Sequence, residues 1–145
     1  MKMPIVRNAG SLVAAGALTL VCAVAAQAQD GWTIPQAAAS EKSPFAASRE
    51  EAAKKGKSVF QRNCQRCHGP EGKGNGPEAD PKAPPANLAQ VKADETDGVL
   101  FYKVWNGHEP TAKAMGKMPA FKTRITKEEA WQAVEYVRTL HKFFF

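Results

Sequence analysis

Cys64-Gln65-Arg66-Cys67-His68-Gly69 is the stretch that decides how the rest of the chain is read. Two cysteines three positions apart, with a histidine directly after the second, admit few kinds of chemistry. A disulfide between them would close only a tiny loop and constrain little of the unfolded chain. A redox dithiol places its first cysteine at the start of a helix that follows a strand. Here a helical pattern precedes the pair and a glycine-rich loop follows it. Half of a zinc site needs two further ligands, and the remaining histidines, His108 and His141, have no companion cysteines. The order C-x-x-C-H is the attachment sequence of haem c. Two thiols at this spacing add across the vinyl groups on neighbouring edges of a porphyrin, and the next residue brings an imidazole to the iron. The expectation is one covalent haem c, held by Cys64 and Cys67, with His68 as axial iron ligand.

Working outward, Ser48 and Glu51 have the spacing of a capping box. Ala52, Ala53, Gly56, Val59 and Phe60 then recur at helical steps, which predicts a helix ending near Asn63. From Gly69 to Pro85 the chain is dense in glycine and proline and reads as loop. The polar run Asp94 to Asp97 starts a second helix carrying Val99, Leu100, Val104 and Trp105, with Asn106-Gly107 as its stop. After a loop from His108 to Thr123, Thr126 and Glu129 repeat the capping-box spacing. Ala130, Trp131, Val134, Val137 and Leu140 form the apolar stripe of a closing helix. No alternating segment is long enough for a convincing strand, so the fold class is all-α, with three or more helices and long loops. A domain of about 100 residues with such connections buries a small core. A large apolar cofactor would fill the middle.

The 145 residues hold about one domain. Lys2 and Arg7 precede an uncharged run from Ala9 to Ala26, and Ala26-Gln27-Ala28 has small residues flanking a cleavage point. That is the layout of a secretory signal peptide, cut after Ala28. The alternative is an uncleaved membrane anchor, since about 18 apolar residues can just span a bilayer. The expected division is a signal at 1–28, an extended N-terminal arm at 29–47, a domain at 48–142 and a tail at 143–145. Phe143-Phe144-Phe145 has no physical reading from sequence. Removing residues 1–28 takes two of the 20 basic residues and none of the 14 acidic ones, lowering the net charge from +6 to +4, and takes Cys22 as well. The basic residues are interspersed with acidic ones, without the aromatic-interleaved stripe of a nucleic-acid binder.

The occupant of the sixth iron position decides between electron transfer and ligand activation. Met115, Met118 and His108 are candidates; His141, at the end of the last helix, is expected to face solvent. The methionines lie in Ala114-Met115-Gly116-Lys117-Met118-Pro119-Ala120-Phe121, whose Lys and Gly make a core segment unfavourable. Pro119 stiffens the backbone after Met118, so Met118 is the favoured axial ligand, with Met115 and His108 as alternatives.

Taken together these residues resemble the class I (mitochondrial-type and bacterial) monohaem cytochromes c over about residues 48–142. Gly56 and Phe60 match the first helix of that family, Pro84-Pro85-Ala86-Asn87-Leu88 its proline segment, Met118-Pro119-Ala120-Phe121 its axial-methionine loop, and Trp131, Tyr136 and Leu140 its closing helix. The resemblance implies that the first and last helices cross at Gly56, with Phe60 and Tyr136 packed there. It also implies that a proline carbonyl, that of Pro85, accepts the Nδ1 hydrogen of His68, fixing the ring. The loop from Gly69 to Pro84 and the arm 29–47 depart from short family members.

The function so implied is an exported, periplasmic electron carrier and not an enzyme, exchanging electrons with a protein donor and a protein acceptor by outer-sphere transfer. Its basic surplus suits an acidic docking patch. The alternatives are a haem c subunit of a larger oxidoreductase, or a small-molecule-binding haem enzyme with a labile sixth ligand. Membrane attachment is expected only if the signal is kept.

Overall fold

The computed structural model describes the backbone of residues 27–29, and residues 31–92, 94–111 and 116–141 in full. Two helices dominate it. Helix α2 (Arg49–Asn63) buries Ala52, Ala53, Gly56, Val59 and Phe60, the face that the periodicity marks. Helix α5 (Lys127–Leu140) buries Ala130, Trp131, Ala133, Val134, Val137 and Leu140. The two pack directly because Gly56 has no side chain: a Cβ there would collide with the backbone carbonyl of Gln132. Phe60, fully buried, meets Tyr136 beside the crossing with ring centroids 5.2 Å apart. This geometry favours the edge-biased contact of aromatic pairs.

Helix α4 (Asp97–Asn106) packs against α5 by stacking Phe101 on Trp131, with centroids 4.2 Å apart. Thr96 caps it, accepting the Val99 N–H at 3.2 Å, so the polar run 94–97 starts the helix, at its last residue, Asp97. It stops at Gly107, whose φ of +65° is costly for any residue with a Cβ. Two short helical pieces complete the body. These are α3 (Gln65–His68), which carries the cysteine–histidine motif, and a 3₁₀ turn at Leu88–Gln90.

The N-terminal arm is not the loosely ordered, extended segment that its sequence suggests. Strands β1 (Gln27–Gln29) and β2 (Trp32–Ile34) form an antiparallel hairpin, and α1 (Gln36–Ala39) follows. Ile34 and Ala39 are buried against Val99 of α4. The Thr96 hydroxyl donates to the Ala39 carbonyl at 2.6 Å. Ser43 is buried and donates its hydroxyl to Glu135 of α5. Nη1 of Arg49 also donates to both carboxylate oxygens of Glu135, at 3.1 and 2.9 Å. Arg49 reaches on to Asp97 at 2.8 Å, and Arg138 donates to the same carboxylate at 3.0 Å. Burial pushes the Asp97 carboxyl upward, but the Arg49 hydrogen bond and the Arg138 charge outweigh it and hold the group below its ordinary value. One polar network thus ties the arm, α2, α4 and α5.

Among the described residues no helix is long and apolar enough to cross a membrane. The apolar run that precedes Gln27, and the tail 143–145, lie outside the described residues.

Candidate functional site

The site is built around the end of α2. Its last turn leads through Cys64 directly into α3, the Cys64 and His68 N–H groups donating to the carbonyls of Phe60 and Cys64 at 2.8 and 2.9 Å. One helical turn therefore carries Cys64, Cys67 and His68. Cys64 packs against the cluster of Phe60, Ala89, Val137 and Leu140, and burial, with Cys67 adding to it, pushes its thiol up to about 12. At neutral pH that thiol is protonated, unlike the exposed, low-pKa nucleophile of a redox dithiol. The two cysteines are not joined to each other. Among the described residues no group of three or more His, Cys, Asp or Glu is placed to hold a metal ion.

The glycine-rich loop then folds back over this turn. N–H groups of Gly74, Gly76 and Glu78 donate to the carbonyls of His68, Cys67 and Arg66 at 2.8, 3.0 and 2.8 Å. These are the orphan carbonyls of a helix end, satisfied by a loop instead of water. The close approach needs glycine: a Cβ on Gly76 would strike the Arg66 carbonyl, and one on Gly74 the Pro85 carbonyl. Outside the cradle, Arg66 pairs with Glu78.

His68 is buried, and its Nδ1–H donates to the carbonyl of Ala86 at 3.1 Å. This corrects the expectation for Pro85, whose carbonyl is turned toward Gly74. Two adjacent prolines give the sequence no cue to which carbonyl faces inward; the glycine cradle decides it. Burial lowers the pKa of His68, opposed in part by the Ala86 bond, so the ring is neutral near pH 7. With Nδ1 committed, Nε2 is the free donor lone pair, and among the described residues it makes no hydrogen bond. A neutral, oriented imidazole next to two thiols is the donor set that covalent haem requires. The residues fit the group.

The segment after Gly116 is moored to the end of α4. His108 and Met118 form an antiparallel bridge, each N–H donating to the other's carbonyl, at 2.7 and 2.9 Å. Phe121 and Lys122 N–H groups take the end-of-helix carbonyls of Val104 and Trp105 at 3.2 and 3.3 Å. Gly107 lies so close that a Cβ would strike Ala120 and Met118 backbone atoms. Met118 is half-buried. The His108 Nδ1–H donates to the Gly116 carbonyl at 3.1 Å, and Nε2 lies 3.4 Å from the Gly31 carbonyl oxygen. Both ring nitrogens of His108 face backbone carbonyls, which counts against it as an iron ligand. Met115 lies outside the described residues. His141 is exposed, as expected, with Nδ1 bonded to the Ala89 carbonyl at 3.1 Å. The bridge and the roles of Ala86 and Gly74 carry no sequence signal except the glycines themselves.

The family model for cytochrome c matches residues 53–141, more than half of the chain. Among solved structures, the chain is similar to cytochrome cL from the marine methylotrophic bacterium Methylophaga aminisulfidivorans MPT. The TM-score is 0.50 and the identity 22%, over 68% of this chain and 58% of that one. The chain thus spans just over half the length of that protein, and the likeness is one of fold. It is also similar to the KustC0563 c-type cytochrome, with a TM-score of 0.46 and 25% identity, over 59% of this chain and 95% of that one. No curated protein matches the sequence significantly. The motif in its helical turn, the α2–α5 crossing and the family match agree: the chain belongs to the cytochrome c family, which implies covalently bound haem c and for which the Cys64–Cys67 pair is present.

Proposed function

We propose that this chain is an exported electron carrier with one haem c, bonded through Cys64 and Cys67 and ligated by His68 and Met118. The observation that carries the reading is the His68 imidazole, buried, neutral and oriented by Ala86, in the same turn as both cysteines. A haem held there supplies a one-electron ferric–ferrous couple. What the polypeptide adds is constancy. His68 is fixed by a backbone carbonyl, and the Met118 backbone is fixed by His108 and Gly107. Ligands so held need little rearrangement between oxidation states. A thioether opposite a histidine also favours a high potential and electron transfer over ligand activation.

Export is supported by the layout of residues 1–28. Cleavage after Ala28 would remove Gln27 and Ala28, the partners of Ile34 and Thr33, and leave Gln29 opposite Trp32. The partners proposed are a protein donor and a protein acceptor, with an acidic patch on one of them meeting the basic surplus of this chain. A rate of electron exchange that falls with salt is the expected signature.

The test of the ligand set is spectroscopic. The ferric protein should show the sulfur-to-iron charge-transfer absorption, and the reduced protein should resist carbon monoxide. Met118→Ala should abolish the first, admit carbon monoxide promptly and lower the potential. If Met118→Ala changes none of these while Met115→Ala changes all of them, Met118 is not the ligand. Tight carbon monoxide binding by the unmutated protein would favour a site with an open sixth position.

A further inference from the structure

The His108 side chain takes no part in the ligand set proposed above, yet it is held on three sides. One ring nitrogen donates to the Gly116 carbonyl at 3.1 Å, two residues before Met118. The other lies 3.4 Å from the Gly31 carbonyl oxygen, in the arm. The ring face packs against Trp32, with centroids 4.7 Å apart. Trp32 is itself covered by the Lys103 ammonium, 5.7 Å from its centroid, and Lys103 pairs with Glu95. Residues directly opposite in an antiparallel bridge project to the same side, so the imidazole stands beside the Met118 side chain.

The arm that presents Gly31 and Trp32 is a firm base. Ile34, two residues on, is 1% exposed and packs with Ala39 and Val99, and Ala39 is bonded to Thr96. A continuous set of contacts therefore runs from the core of α4, through β2 and the His108 ring, to the loop that carries Met118. Releasing the methionine requires the loop to move, and moving the loop breaks the Gly116 bond and strips the imidazole from Trp32. Neither contact is needed to form α4 or α5, whose caps are complete without them.

From this placement we propose that His108, braced by Trp32 of the N-terminal arm, is a positioning residue for Met118, and that the clamp keeps the sixth iron position closed. The proposal rests on Met118 as the sixth ligand. It assigns the arm a role in holding the redox site, beyond any part in export.

The test uses holo-protein matured in a host competent for cytochrome assembly. Imidazole is titrated into the ferric form while the sulfur-to-iron band is followed. His108→Leu, which keeps bulk and loses the N–H, should raise imidazole affinity about fivefold, the factor one neutral hydrogen bond is worth. His108→Asn, whose amide can donate where Nδ1 does, should restore most of the difference. Trp32→Leu should raise affinity about threefold, the weight of an aromatic contact. Val59→Ala, a change in the buried face of α2, should lower thermal stability and leave imidazole affinity alone. A ferric unmutated protein without the sulfur band overturns the methionine reading and the clamp with it. A band that is present, with imidazole affinity the same in His108→Leu as in the unmutated protein, overturns the clamp alone. So does an equal rise in Val59→Ala, which would make the effect one of general loosening. Should His108→Leu fail to fold, Trp32→Leu decides with the same outcomes.

Discussion

The two sides of the candidate haem site are held in opposite ways. On the histidine side, Cys64 to Leu88 form one continuous stretch that satisfies itself: the loop N–H groups cap the turn they have just left, and Ala86 returns to fix His68. On the proposed methionine side, Gly116 to Ala120 is half-buried or exposed and is moored to His108 and the end of α4. A side whose histidine is buried, and whose Cys64 packs into the cluster of Phe60, Val137 and Leu140, should open only when the domain unfolds. A half-buried one can open alone, at a lower free energy. The contrast suits the proposed carrier, whose anchor must not fail.

Substitutions at matched glycines would sharpen the contrast. The largest effect is expected from Gly74→Ala, where a φ of +76° and the Pro85 carbonyl both oppose a side chain. It should cost about 3 kcal/mol of global stability. Chemical denaturation of the holo-protein should show the sulfur band and the helical signal falling together. Gly107→Ala, at a φ of +65° against Met118 and Ala120, should cost about 2 kcal/mol. In this variant the sulfur band should be lost at lower denaturant than the helical signal, because the methionine loop leaves first. Coincident transitions in Gly107→Ala would remove the distinction between the two sides.

An effect of similar size, dependent on pH, should come from the network that ties the arm, α2, α4 and α5. The folded-state pKa of Asp97 lies below its ordinary value of 3.8, so on acidification the unfolded chain takes up the proton first. The stabilisation is present above the ordinary value and disappears as pH falls through the folded one. Asp97→Asn should lower stability by about 2 kcal/mol at pH 7 and flatten the acid limb. A denaturation midpoint measured from pH 7 to 3 tests both, and an acid limb as steep in the variant as in the unmutated protein would discount the network.

How far the sequence could be read depends on how local each feature is. The motif turn, the buried faces of α2 and α5 and the close approach at Gly56 are periodic or local, and each was legible. Thr126 and Glu129 do form a capping box, whereas Ser48 and Glu51, at the same spacing, do not. Ser48 is bonded back to Phe45, following the turn that Ser43 anchors on Glu135, and its φ of −138° and ψ of 35° are not the extended geometry that aims a hydroxyl at the helix. Ile34, Ala39 and Ser43 are buried at irregular spacing, so the arm has no period to detect and reads as a tether. Ala86 displaced Pro85 because the cradle of Gly74, not proline chemistry, chooses which carbonyl turns inward.

Everything on either side of the site presupposes porphyrin bonded to the chain, and intact mass measures that directly. Protein matured in a host competent for cytochrome assembly, then denatured in acid and freed of unbound pigment, should retain the mass of one haem, with neither Cys64 nor Cys67 open to alkylation. A chain that emerges without added mass, both thiols reacting, would contradict the account.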